Sequence, residues 1–561
     1  MIGILKDRVV SIGRISFLLI VVFLPAFLWA GTYTIDTKAQ WEKWTFNGKP
    51  LGELGDQHIL KLTPDGRIEV GQVFKGEINV APNASRYTYL RENKEVTGGI
   101  RSVGSNKTSA ARILDGDLST YWAPRPSDEV DKWWVEVDLG FAVTAKKIRL
   151  VFAEGKTPFP DFRVFVSDGV RKYLKSDSPA LEYIPVAITK RPNEKRVFEI
   201  IFDEKDRYLE SGGTVTNDPD DPETVFVPQY NRRGGLLLGR ALQYIKIFFT
   251  EKVEDPGLAE VEVYSIGQNI ADGIKQRGGW VEVRFNIPPP ENLFDGGLWT
   301  PWWISDNVDW EAGGWFKLDL GCIFWIDTIR VLQLEKTRAT QWFDEMNGFR
   351  IYVSDGTEAA YATSEVWKVH GKDLVWEKIV DVRNSELPRL LYFDLTFPPV
   401  RARYLFLHHA YGYGYNRARE TCPSNIVELQ LYGEGAIPGI TLLSDLIDLG
   451  KSKNLISMSW EGDLPPGTRI EFRTRTGDEV EEIVHYFSKF GKEVTKEVYD
   501  KFKAFQKGDI VKEITPVDSV WSSWSTVYER SGSIRCHNPA SLLFPTNPSN
   551  AVPLENIVLR N

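Results

Sequence analysis

The chain carries one ordered series of landmarks twice. Asp115-Gly-Asp-Leu-Ser-Thr-Tyr-Trp122 is matched by Asp295-Gly-Gly-Leu-Trp-Thr-Pro-Trp302. Each run leads through an aromatic strand to Asp-Leu-Gly, Asp138 to Gly140 and Asp319 to Gly321. Ile-Arg follows in both, at Ile148-Arg149 and Ile329-Arg330, and then a strand ending in Ser-Asp-Gly at Gly169 and Gly356. Both series close on a Glu-led alternating strand, Glu260 to Tyr264 and Glu428 to Tyr432. Five matches in one order, offset by about 180 residues, require a tandem repeat of a large unit, and function must be sought in a duplicated scaffold.

Alternation within the landmarks fixes the class of that unit. Val135, Val137 and Leu139 share one face and Glu136 and Asp138 the other, and Phe162, Val164 and Val166 likewise share a face; period two marks half-buried strands. Trp122 and Trp302 end the turns and are read as core. The remaining chain divides around the repeats. Residues 31–78 are turn-rich, with a hairpin at Thr63-Pro-Asp-Gly66 and with Trp41 and Trp44 as anchors onto the next domain. The first repeat spans 79–268 and carries a long insertion whose run Asn217 to Glu223 is acidic and proline-rich, a solvated loop. Residues 268–279 read as a linker and 280–434 as the second repeat. A third, β-rich unit spans 436–561. Its stretch 480–508 has apolar residues at Val484, Phe487, Val494, Val498, Phe502 and Phe505, a spacing that predicts a helical insertion.

The N-terminus reads as an export signal. Lys6, Arg8 and Arg14 precede an apolar run from Ile15 to Trp29, and Ala30-Gly31 offers a small-residue cleavage point. Residues 1–30 are therefore expected to be a signal peptide, with an uncleaved anchor as the alternative, and the protein to be secreted, periplasmic or at the cell surface with no transmembrane helix after cleavage. Three cysteines, Cys322, Cys422 and Cys536, are not a disulfide framework. A net charge of −9 gives no footprint for nucleic acid.

The Asp-Gly-x-x-x-Thr-x-Trp turn, the Asp-Leu-Gly strand end and the Glu-led closing strand together resemble the discoidin family, the coagulation factor 5/8 type C domains, and equally the galactose-binding-like carbohydrate modules of the same fold. The order of units is also similar to that of large secreted bacterial proteins. The resemblance covers both repeats. It implies an all-β chain: two tandem galactose-binding-like jelly-roll β-sandwiches followed by a third β-rich domain. It also implies a structural calcium ion in each Asp-Gly turn. Calcium takes six to eight oxygens from carboxylates, hydroxyls and carbonyls. The first turn would supply Asp115, Glu260, Thr120 and the carbonyls of Arg112 and Asp117; the second would supply Asp295, Glu428, Thr300 and the places of Asn292 and Gly297. The alternative is a metal-free turn in which Asp and Thr cap backbone N–H groups and Glu pairs with an Arg.

The segment before the second repeat's last strand, His408-His-Ala-Tyr-Gly-Tyr-Gly-Tyr-Asn-Arg417, is the ligand candidate. Tyr411, Tyr413 and Tyr415 supply flat faces, and His409, Asn416 and Arg417 supply directional hydrogen bonds, a combination suited to a pyranose ring. The alternative is an aromatic loop packed on its own domain. The matching segment of the first repeat, 250–256, is acidic and lacks aromatics. Six histidines, with no His-Glu-x-x-His, nucleophile elbow or phosphate loop, point away from an enzyme. The chain is thus expected to be a non-catalytic binding protein for a glycan or extracellular polymer. Alternatives are an adhesive envelope component and an accessory or catalytic part of a carbohydrate-active system.

Overall fold

The computed structural model describes residues 33–560, apart from 55–58, 92–93, 170, 174–178, 190, 203–238, 285–288, 299, 305–313, 335–344, 385–390, 411–423, 451–456, 459, 463–467, 489–492, 527–533 and 536–551. The protein is all-β, and each repeat is a sandwich organised by one long strand. In the first copy this is Trp134–Phe152. Its first half pairs with Arg240–Phe249 and Gly99–Val103. At Asp-Leu-Gly the register slips between Asp138 and Val143, Gly140 takes φ +81°, and the second half pairs with Val197–Ile201 and Leu258–Gly267. The second copy repeats the plan. Trp315–Leu332 pairs first with Trp280–Val283 and Tyr392–His408, slips between Asp319 and Phe324, and ends against Glu428–Tyr432. A strand that bends midway serves both layers, so its inward residues Val135, Val137, Ile148 and Leu150 reach one core.

Trp122 and Trp302 are core residues, 0% and 1% exposed. The opposite face of the long strand departs from simple alternation. Glu136 and Asp138 are buried as well. Ser102 donates to Glu136 at 2.6 Å, and Tyr89 and Gln243 donate to Asp138 at 2.6 and 3.0 Å. A second, polar layer covers this face, and it is supplied by residues far away in sequence.

The segment 268–279, expected as a linker, is part of the core. Ile270, Ala271 and Ile274 are buried, and Arg277 is 2% exposed. Arg277 donates to the carbonyls of Leu320 at 3.0 Å, Asp272 at 2.7 Å and Ile270. One guanidinium satisfies the carbonyls that turns 268–279 leave open, which is why a polar stretch can be buried.

The N-terminal segment also sits elsewhere than expected. Its hairpin at 60–70 forms, with Leu60–Leu62 against Ile68–Val70 and the Trp41 indole on the Gly66 carbonyl at 2.9 Å. Trp44 packs into the cluster shared by the second copy and the third unit, and Thr45 pairs with Leu443. Residues 45–50 thereby join strands Gly439–Ile447, Val552–Arg560 and Arg469–Thr474 in one sheet.

Over 480–508 the helical spacing resolves into strand. Val480–Ser488 pairs with Lys507–Pro516, and helix is confined to Lys496–Lys501. Ile483, Ile510, Val511 and Ile514 stay exposed, so no core enforces a helical stripe, and β-branched residues favour the ribbon. Cys322 is a free, buried thiol pushed up to about 12 by burial; Cys422 and Cys536 lie outside the described residues. No described helix is long and apolar enough to cross a membrane, and residues 1–30 lie outside the described residues.

The two copies dock through a dry, bonded interface. Leu298 of the second turn, fully buried, meets Ala142 and Ala241 of the first copy, where Gly296 O accepts from Ala142 N at 2.6 Å. Gly296 takes φ +75°, and a Cβ there would stand 2.7 Å from that of Phe141. Arg330, 0% exposed, holds Asp394 with two nitrogens, the Thr144 hydroxyl at 2.8 Å and the Gly239 carbonyl at 2.9 Å. Its counterpart Arg149 sits at the surface with Glu199 and Glu262. Arg330→Ala strands a buried carboxylate and is expected to cost about 3–5 kcal/mol, against about 1 kcal/mol or less for Arg149→Ala. Urea denaturation followed by tryptophan fluorescence compares them, and equal losses would contradict this account of the interface.

Candidate functional site

The repeated turn is built the same way in both copies. A short 3-10 helix, Lys107–Leu114 or Pro290–Phe294, ends at the Asp. That Asp caps the turn: Asp117 N donates to Asp115 Oδ1 at 2.8 Å, and Gly297 N to Asp295 Oδ1 at 2.7 Å. The Thr hydroxyl donates to the other oxygen, at 2.7 Å from Thr120 to Asp115 and 2.6 Å from Thr300 to Asp295. The closing Glu arrives from its distant strand. Gly116 N donates to Glu260 at 2.9 Å and Gly296 N to Glu428 at 3.2 Å. Sequence reading paired each Asp with its Glu correctly. It missed the glycine N–H groups, for which positive φ at Gly116 and Gly296 was the available signal.

The remaining oxygens decide what the turn can hold. Glu260 and Glu428 are buried, and Glu260 Oε2 and Glu428 Oε1 have no hydrogen-bond partner. Among the described residues no arginine pairs with either Glu, so the metal-free alternative accounts for Asp and Thr but leaves over one oxygen of each Glu, beyond its glycine N–H bond. Burial, then the Asp115 carboxyl beside it, pushes Glu260 up to about 8. Burial, and then Asp295, holds Glu428 well above the usual carboxylate range. Around Thr120 Oγ1 lie Asp115 Oδ2, the Asp117 carbonyl at 3.3 Å and the Arg112 carbonyl at 3.4 Å. Two carboxylates, two carbonyls and a hydroxyl within one turn form a hard-oxygen set that fits calcium. In the second copy Asp295, Thr300 and Glu428 converge in the same way, while the Asn292 amide donates to Pro301 O at 3.4 Å. Among the described residues no group of three or more His, Cys, Asp or Glu side chains could hold a metal, so such an ion would depend on carbonyl and hydroxyl oxygens.

The aromatic loop joins this turn through a strand pair. His408 and His409 end the strand, both buried, with His409 N on Gly314 O at 2.9 Å, so His409 is a root of the loop and not part of its surface. Tyr411, Tyr413, Tyr415, Asn416 and Arg417 lie outside the described residues, as does the acidic run 217–223. The chain returns at Ser424–Ile426, which pairs with Trp302–Ile304 directly after the turn. Asn425 anchors this return, accepting from Leu334 N at 2.7 Å. In the first copy the corresponding pair is a single bridge, Trp122 to Leu258. The segment before it holds Asp255 at φ +51° against Lys156 at 2.8 Å.

No family model matches the chain, and no curated protein matches it. Solved structures similar to it include a fucolectin from striped bass (Morone saxatilis) serum, 14% identical, covering 64% of this chain and 99% of that one at a TM-score of 0.20. They also include chitosan-binding module 1 of a chitosanase/glucanase from Paenibacillus sp. IK-5, 16% identical, covering 30% and 99% at a TM-score of 0.20. A third is CpGH89CBM32-6 from Clostridium perfringens, 16% identical, covering 30% and 100% at a TM-score of 0.20. At these TM-scores the likeness assigns neither ligand nor partner to this chain.

Proposed function

We propose that this chain is a secreted, non-catalytic binding protein that engages carbohydrate through its discoidin-like sandwiches, with the aromatic loop of the second copy as the principal contact. The pairing of Ser424–Ile426 with Trp302–Ile304 carries the reading. It ties the return of the loop to the Asp-Gly turn, so whatever stiffens the turn also stiffens the base of the loop. Tyr411, Tyr413 and Tyr415 would offer ring faces to the C–H face of a sugar, while Asn416 and Arg417 bond its hydroxyls. His409, buried at the root, positions the strand end.

A calcium ion in each turn would be held by Asp115, Glu260, Thr120 and the carbonyls of Arg112 and Asp117, and by Asp295, Glu428, Thr300 and the carbonyls of Asn292 and Gly297. Such an ion supplies positive charge that offsets the paired carboxylates; it takes part in no reaction. The protein itself closes the turn through Gly116 and Gly296 and fixes the copies relative to each other through Arg330. Two sites on locked copies gain avidity only for a ligand whose spacing matches.

Calcium added to chelator-treated protein is expected to raise the melting temperature, each site contributing about 2.7 kcal/mol at a hundredfold excess over its Kd. Glu428→Gln should abolish the contribution of the second copy without lowering the melting temperature in chelator, because it removes an unpaired buried carboxylate. Absence of any calcium-dependent shift would remove the ion from the account. For the loop, a glycan array with the full chain is expected to give binding that Tyr411→Ala, Tyr413→Ala and Arg417→Ala each weaken about tenfold or more. No bound glycan, or binding indifferent to all three, would sink the carbohydrate reading.

A further inference from the structure

The face on which the first copy receives its neighbour has a counterpart on the second. In the first copy, Ala142, Ala241 and Asp168 receive the Asp295 turn: Leu298 is buried there, and Tyr392 OH donates to Asp168 Oδ2 at 3.3 Å. The strand registers place Ile323, Arg401 and Asp355 at the same points of the second copy. Thr144 pairs with Ala241 as Trp325 pairs with Arg401, and Ser167 with Tyr244 as Ser354 with Tyr404. The neighbours here are the third unit and the N-terminal hairpin. Cys322 Sγ meets Gly439 O at 3.5 Å, and the Asn47 amide donates to Gly321 O at 2.7 Å. They do not fill the face. A cavity of about 320 Å³ remains, beside another of about 310 Å³ that shares Asp355, Gly356 and Arg403 with it.

The chemistry of this groove differs from that of its counterpart. Arg401 and Arg403 stand two apart on one strand and so share a face. Asp319 takes Nε and Nη2 of Arg403 at 3.0 and 3.1 Å, and no hydrogen bond from Nη1 is found among the described residues. Arg401 is 3.5 Å from Asp355 with its side chain 44% exposed, a loose surface pair. Lys372 also lines the groove but is held by Glu358 at 2.6 Å, and Asp355 is the only carboxylate among the described lining residues. Asp355 Oδ1 is taken by Thr357, at 3.0 Å from N and 2.6 Å from Oγ1, while Oδ2 faces Arg401. Two tight hairpin turns frame the walls: Asn47-Gly48 with φ +48° and +76°, and His370-Gly371 with φ +49° and +75°. Phe46 and Pro438 line the groove but are themselves buried, Phe46 at 3% exposed.

We propose that this groove is a second carbohydrate site, separate from the tyrosine loop, and that it takes a carboxylate-bearing sugar, a hexuronate unit. The uronate carboxylate lies on the planar fork of Arg401 and takes a single further bond from Nη1 of Arg403. A ring hydroxyl donates to Asp355, as the Tyr392 hydroxyl does to Asp168 in the first copy. The cavity lies at the small end of the range for ligand pockets, room for one or two sugar units. The choice of a sugar among carboxylates rests on the carbohydrate reading given above.

Isothermal titration of the full chain with digalacturonate, with neutral lactose, with a sulfated galactose disaccharide and with tartrate tests this. Digalacturonate should bind, and lactose, the sulfated sugar and tartrate should bind at least about tenfold more weakly at this site. Arg401→Ala, which installs the residue the first copy carries at that register, should weaken digalacturonate about tenfold or more with the fold intact. Asp355→Asn should also weaken it, and Tyr411→Ala should not. No uronate binding, equal binding of any comparison ligand, or indifference to Arg401→Ala would overturn the proposal. Uronate binding lost in Tyr411→Ala but kept in Arg401→Ala would overturn it too, while leaving the loop reading standing. The converse result is the expected one and leaves the loop to its own test on the glycan array.

Discussion

One buried guanidinium holds the two sandwiches in register. Arg330 enters the first copy fully desolvated, a placement that is unfavourable unless every donor finds an acceptor. Asp394 takes two of its nitrogens, and Thr144 and Gly239 of the first copy take the rest. Around this node Gln430 accepts from the Thr144 hydroxyl at 2.6 Å and donates to Ala142 O at 3.1 Å. A bonded polar node of this kind adds less to stability than a well-packed apolar one would. What it adds is a single docking geometry, because any slip strands charge and N–H groups without partners. Everything attached to either copy inherits that geometry.

The docking also explains why the copies diverged. The second turn is an interface element: Gly296 and the buried Leu298 meet the first copy. The first turn is free to solvent, with Asp117 in place of Gly297 and Leu118 47% exposed. Its Asp-Gly chemistry is nevertheless the same, down to the glycine N–H on the closing Glu. Shared scaffold chemistry and unshared surfaces are what a duplicated module shows when one copy has become the seat of the other.

Much of this was legible in the residues. The order of landmarks gave the duplication, the buried Trp122 and Trp302, and the placing of Asp115 with Glu260 and of Asp295 with Glu428, whereas Asp-Leu-Gly, read as a strand end, is a bend within one long strand. What stayed hidden depended on partners remote in sequence. Ile-Arg reads identically in both copies, yet Arg149 is a surface ion pair and Arg330 the interface node, because only the second has a neighbour to enter. Glu136 and Asp138 alternate as solvent-facing residues should, but Tyr89, Ser102 and Gln243 bond to them and cover them. The polar run 268–279 reads as a linker until Arg277 is seen bonding its carbonyls. Over 480–508 an apolar spacing of three and four arose without a core to enforce it. The tyrosine loop was found by composition, and its strand-paired return beside the Asp-Gly turn emerged only in three dimensions.

Two copies fused into one body hold their loop ends at a fixed distance, and that is the central claim here. The direct measurement is a spin-label distance between Glu154 in the first copy and Tyr361 in the second, both exposed, each changed to Cys in a chain carrying Cys422→Ser and Cys536→Ser. Double electron–electron resonance is expected to give one narrow distance distribution that broadens in Arg330→Ala. A broad distribution in the otherwise unaltered chain would show two independent sandwiches and contradict the account.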